Sequence, residues 1–244
     1  MSRPRRGWVR ALVTLLVLAA LLVAADRAAA WFAGNAAAQA LETRGEGVTG
    51  ADVSVHGFPF LTQLVAGSLD DVTGTMRSGT FGTYELRDVR FATSDLEPRA
   101  PYHASAAQAD GVLTYASVQA AMADQVGADV SVGAAEPAED GAGALEVTFP
   151  ATVLGATVDV GATAVPTVTD ESTVTLDVRS VTVAGARLDP DDLPGGLGDR
   201  VRQIAVPLDL PAGVALRSVA AEPEGLRIAL AAQDVDLASL AAEG

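Results

Sequence analysis

Two histidines, His56 and His103, are the side chains here whose ordinary pKa lies near neutrality, and the chain contains no cysteine. Hydrolysis through a nucleophile needs a base beside it, and no Gly-x-Ser-x-Gly elbow occurs to seat a serine. His56 precedes Gly57 at the end of a strand-like run and His103 follows Pro101-Tyr102, so ordinary polar contacts account for both. Asp189-Pro190-Asp191-Asp192 opens like a calcium loop, but Leu193 stands at its fifth position and Arg200 at its twelfth, where a glutamate is required. An Asp-rich helix N-terminus explains the run more simply. Asp234 and Asp236 flank Val235 in alternating sequence and read as the solvated face of a strand. No glycine-rich phosphate loop follows a strand. The expectation is no catalytic residue, no metal and no cofactor.

The chemistry left open is apolar binding. His56-Gly57-Phe58-Pro59-Phe60-Leu61-Thr62-Gln63-Leu64-Val65-Ala66-Gly67 is the densest apolar segment outside the N-terminus, and Pro59 prevents it from simply continuing a ladder. One reading is a core-filling β-corner. The functional reading puts Phe58, Pro59, Phe60, Leu61 and Leu64 at the mouth of an apolar cleft, with Gly57 and Gly67 allowing another chain to approach closely. Candidates for a polar headgroup are His56, Arg77, Arg87 and Arg90, with Arg44 also near in sequence.

The elements that hold this segment begin with the N-terminus. Arg3, Arg5, Arg6 and Arg10 precede Ala11 to Ala25, in which Thr14 is the one polar residue. The run fits a cleaved signal, with Ala28 and Ala30 as small residues before Trp31, and it fits a retained anchor starting at Gly7. The expected division is 1–30 as signal peptide or anchor and 31–244 as the exported domain. The Arg cluster keeps the first residues cytoplasmic and sends the rest to the outer side of the membrane. Trp31, Phe32, Ala36, Ala40 and Leu41 have helical spacing from Arg27 to about Arg44.

Beyond Gly45 and Gly47 period-two alternation dominates, as in Val53/Val55, Leu145/Val147/Phe149, Val174/Leu176/Val178 and Leu226/Ile228/Leu230. The phase slips between Val178 and Val181 and between Leu216 and Val219, which predicts bulges in a curved antiparallel sheet. Glu222-Pro223-Glu224-Gly225 predicts a hairpin turn. Helices are expected from Ser117, acting as its cap, to Val126, and from Leu193 to Ile204; residues 131–143 read as an exposed loop. Strands followed by a helix, twice over, hint at a pseudo-repeat.

Composition excludes one class of function. The net charge is −15, and removing residues 1–30 takes away five Arg and one Asp, leaving −19. With only 5 % aromatic residues as well, nucleic-acid binding drops out. All 16 basic residues are Arg, a bias that points to a high-GC genome.

Several features in order resemble the LmeA-type phospholipid-binding proteins of actinobacteria. These are the hydrophobic N-terminus and Ala-rich helix, then Val53-Ser54-Val55-His56-Gly57-Phe58-Pro59-Phe60-Leu61-Thr62-Gln63-Leu64 with Gly67 and Val72. Near the end come Val206-Pro207-Leu208-Asp209-Leu210-Pro211, Val214, Leu216 and Glu224-Gly225-Leu226. The resemblance spans about residues 27 to 240. It implies an α+β fold in which a strongly curved antiparallel sheet wraps a helix, tubular and lipid-binding. It also implies non-catalytic binding of phospholipids, inositol phospholipids among them, and a part in maintaining or moving envelope glycolipids. The competing expectation is a structural adaptor for envelope proteins without a lipid ligand.

Overall fold

The computed structural model describes residues 5–81, 84–100, 102–126, 130–153, 156–183, 185–192, 202–208 and 210–238. Helix α1 runs unbroken from Arg5–Arg44. Its residues 8–25 are exposed along their whole length, and one stretch of it is long and apolar enough to cross a membrane. From Asp26 onward the helix acquires a buried face, because Asp26, Ala30, Gly34 and Ala38 recur every four residues. That stripe packs on strand β1 (Asp52–His56). A Cβ on Gly34 would stand 2.2 Å from the Val53 carbonyl oxygen, so this glycine sets how closely helix and strand approach.

After β1 come α2 (Phe60–Ala66), β2 (Leu69–Phe81), β3 (Tyr84–Leu96), β4 (His103–Thr114) and α3 (Tyr115–Val126). There follow β5 (Ser131–Ala134), β6 (Leu145–Val153), β7 (Ala156–Asp170), β8 (Thr173–Val183) and β9 (Ala186–Leu188). The last strands are β10 (Gln203–Pro207), β11 (Val214–Glu222) and β12 (Gly225–Asp236). They form two open sheets ordered β1-β2-β3-β4-β12-β11 and β10-β8-β7-β6-β5, with β9 beside β8, and every recorded pairing is antiparallel. The fold is therefore α+β and dominated by antiparallel sheet. The two sheets meet where the Leu216 N–H of β11 donates to the Glu171 carbonyl after β7.

Register assigns the faces of the first sheet. Val53, Gly74, Phe91, Ala109, Leu230 and Leu216 lie in one cross-strand row, on the apolar face that receives α1. The neighbouring row, Asp52, Thr75, Arg90, Asp110 and Ala229, lies on the opposite, polar face. In the second sheet, Leu145, Ala164 and Val178 share a row, as do Leu176 and Ile204. A second core forms there between α3, β5 and β6, and it reaches Ala221 and Leu226 of the first sheet.

The two phase slips are bulges: the register shifts between Leu216 and Ser218, and opposite Thr163/Ala164 it skips Arg179. The β11–β12 hairpin closes at Glu222 and Gly225. Three expectations need correction. Thr114, not Ser117, caps α3: its hydroxyl accepts the Ser117 N–H at 3.3 Å, while the Ser117 hydroxyl accepts the Glu85 N–H at 2.8 Å. Residues 131–134 of the expected loop are strand β5, because Val132 pairs with Val147 and is buried. Ile204 ends no helix and pairs with Leu176 in β10; Leu193 to Arg200, the body of that expected helix, lie outside the described residues. The Asp-rich run is a single 3-10 turn, Pro190–Asp192, in which the Asp189 carboxylate accepts the Asp191 N–H.

Candidate functional site

The Phe-rich segment folds into a corner fastened to α1. Pro59 precedes α2, and two backbone N–H groups at the start of that helix, Phe60 and Leu61, donate to the two carboxylate oxygens of Asp26 at 3.0 and 2.9 Å. Asp26 is itself buried, and the Arg27 guanidinium bonds it at 2.7 Å. The same guanidinium donates to the Gly57 carbonyl at 2.7 Å and lies 5.2 Å from the centre of the Phe58 ring, a cation–π contact. Buried Gln63 stitches the far side: its amide oxygen accepts the Asp70 N–H at 3.0 Å and its amide nitrogen donates to the His56 carbonyl. Gly57 (φ +87°) and Gly67 (φ +84°) both adopt the left-handed region, and Gly67 ends α2 by donating to the Gln63 carbonyl. Their glycine character serves these turns.

The corner divides the predicted cleft residues. Phe60 is only 4 % exposed and packs in the core with Ala30, Val53, Leu69 and Val72. Phe58, Leu61, Leu64 and Val65 face solvent, Val65 at 87 %. The headgroup candidates lie elsewhere. The His56 ring meets the Thr73 hydroxyl at 2.8 Å and Arg90 pairs with Asp110 at 3.8 Å, both on the polar face of the first sheet, while Arg87 pairs with Glu85 at 3.1 Å beyond the β3 register shift. Arg77 lies against Gly50. Arg90, Asp52, Asp110 and Arg217 border a shallow trough of about 660 Å³ with alanines at its base, opposite the face that holds Phe60. The two sets of candidates are thus separated by the sheet.

A second hollow is apolar throughout. It has a volume of about 240 Å³, is roofed by Met122 of α3, and is lined by Val147, Phe149, Ala162, Ala164, Leu176, Val178, Ile204, Val206 and Val130. Its cause lies in the side-chain sizes: Ala162 and Ala164 on β7 stand between larger residues of β6 and β8, so the sheet is deep there and α3 spans the gap. The Thr114 cap and the Tyr115 hydroxyl, which donates to the Glu222 carbonyl at 2.8 Å, fix the start of α3. Burial pushes the Tyr115 phenol above its ordinary pKa, so it stays a neutral donor. On the polar face of the first sheet, Arg227 bonds Glu222 at 2.5 Å and Asp110 at 3.4 Å, and the Glu222 contact raises the guanidinium pKa further. Alternation in the sequence shows β6, β7 and β8 but not β10, whose Ile204 was expected in a helix, and not the hollow, since nothing local says which helix will cover these strands.

Among the described residues the lining is aliphatic and aromatic throughout; what such a surface offers is removal of hydrocarbon from water. The described residues thus give open antiparallel sheets, an apolar hollow under α3 and, at one end, a helix long and apolar enough to cross a membrane. Residues 24–231 match the family model described as LmeA-like phospholipid-binding, and the chain belongs to that family. Comparison with curated proteins and with solved structures finds no match for it.

Proposed function

We propose that this protein is a non-catalytic phospholipid-binding protein, held on the outer side of the cytoplasmic membrane by α1, that takes acyl chain into the cavity between α3 and the second sheet. The observation that carries the reading is the lining of that cavity, which has no polar residue among the described ones. Each buried methylene contributes about 0.8 kcal/mol, so a short length of chain suffices for stable association. A retained anchor fits better than a cleaved signal: cutting before Trp31 would remove Asp26 and Arg27 and leave the start of α2 without its acceptor. The Phe58–Leu64 corner then stands where the lipid leaves the bilayer, and the arginines of the polar face are the reserve of positive charge for an anionic headgroup such as an inositol phospholipid. Moving lipid for envelope maintenance is the role this arrangement would serve.

The test is native mass spectrometry of the full chain released from detergent, beside the Ala162→Phe variant. A phenyl ring at Ala162 fills the hollow. Loss of two buried methylenes of ligand corresponds to about 1.6 kcal/mol, so the lipid dissociation constant should rise more than tenfold, read as a lower lipid-bound fraction at sub-saturating lipid, with the melting temperature unchanged. Full occupancy in a folded Ala162→Phe protein rules the cavity out as the acyl site.

A further inference from the structure

We propose that the outer face of α2 rests on the membrane surface, forming a second contact beside the anchor that fixes the tilt of the β domain over the lipid bilayer. The proposal rests on the retained-anchor reading above. The chain has two tryptophans, Trp8 and Trp31, and both lie on α1, one at each end of the apolar run. Twenty-three residues at about 1.5 Å rise place them roughly 35 Å apart, the separation of the two interfacial layers where tryptophan rings settle. Trp31 and Phe32 are both exposed and stack edge to face. Asp26 lies little more than one helical turn before Trp31, and it holds the N-terminus of α2 by two hydrogen bonds. The level at which α1 leaves the hydrocarbon is therefore also the level of α2.

The surface α2 presents there is suited to lipid. Phe58, Leu61, Leu64 and Val65 are exposed side by side on a single short turn of chain, and none of the described elements covers them. Residues 57–68 contain no acidic side chain, although the whole chain carries a net −15. Arg27 stands over Phe58, and the Arg99 guanidinium approaches Gly67 at the other end of α2. The corner is thus an apolar patch with no acidic side chain of its own, bordered by the Arg27–Asp26 ion pair at one end and by Arg99 at the other. Apolar side chains immersed at the headgroup boundary with arginines beside them are the make-up of an interfacial segment. A protein partner would have to fit in the narrow layer between the domain and the bilayer.

Because the chain has no cysteine, single labels report without background. The full chain is reconstituted in phosphatidylcholine vesicles carrying nitroxide lipids, with an environment-sensitive fluorophore on Val65→Cys, Leu61→Cys, Leu16→Cys or Glu139→Cys. The expected result is blue-shifted emission at Val65→Cys and Leu61→Cys, quenched by a nitroxide near the headgroup. Leu16→Cys should be quenched by a nitroxide near the acyl terminus, and Glu139→Cys by neither. Water-like, unquenched emission at Val65→Cys and Leu61→Cys with Leu16→Cys still quenched overturns the α2 contact and leaves the anchor standing. Blue-shifted emission at Val65→Cys that no nitroxide quenches also overturns it, since protein then covers the patch. An unquenched Leu16→Cys overturns the anchor and the contact with it.

Discussion

Asp26 shows how a residue's role depends on a partner that sequence distance conceals. In sequence it stands beside Arg27 as a charged break after the apolar run, unexpectedly close to a cleavage site. In the structure its carboxylate supplies the acceptors for two N–H groups more than thirty residues away. Asp26→Ala leaves those donors unmatched and should cost about 1–2 kcal/mol, read as a lower denaturation midpoint and faster amide exchange at Phe60 and Leu61. Asp26→Asn keeps one acceptor and should fall between. Unchanged exchange in Asp26→Ala would mean the carboxylate does not hold α2. The Phe-rich segment was legible as the most informative stretch, but not its division: Phe60 turns inward while Phe58, Leu61 and Leu64 turn outward, because α2 forms. Seven residues are too short for helical periodicity to show, and the signals that remain are Pro59 before it and Gly67 after it.

Strands were readable where large β-branched and aliphatic residues alternate, and two of the four recorded register shifts followed from breaks in that alternation. β5 was not, because its residues are Ser, Val, Gly and Ala and only pairing with β6 gives it an identity. The helix–strand contact at Gly34 is likewise invisible locally. Alanine in an exposed helix interior normally gains up to about 1 kcal/mol over glycine. Here a methyl group would collide with the Val53 carbonyl at 2.2 Å, so Gly34→Ala should reverse that sign and cost about 1–3 kcal/mol by thermal melting. A stabilised Gly34→Ala would show that α1 is not packed on β1 this closely.

Across the whole molecule the same plan occurs twice: α1 leads into β1 and a meander through β4, and α3 leads into β5 and a meander through β8. Each helix covers the first strands of its sheet. On the second sheet β6, β7, β8 and β10 together line the cavity under α3. The sequence hint of a pseudo-repeat pointed to this plan, though it placed the helices after the strands. The strongly acidic composition argues against nucleic acid but says little about lipid, because the chain sets its uncharged corner beside the apolar run of α1 and its Arg90–Asp110 pair on the far face of the sheet. The central claim, that acyl chain enters the cavity roofed by Met122, is tested most directly by photo-crosslinking. The full chain in vesicles is exposed to a phospholipid carrying a diazirine at the acyl terminus, and the adducts are mapped by peptide mass spectrometry. Adducts on the peptides holding Met122, Phe149 and Leu176, lost in Ala162→Phe, are the predicted result. Adducts confined to residues 8–25 of α1, with none in the second sheet, would contradict it.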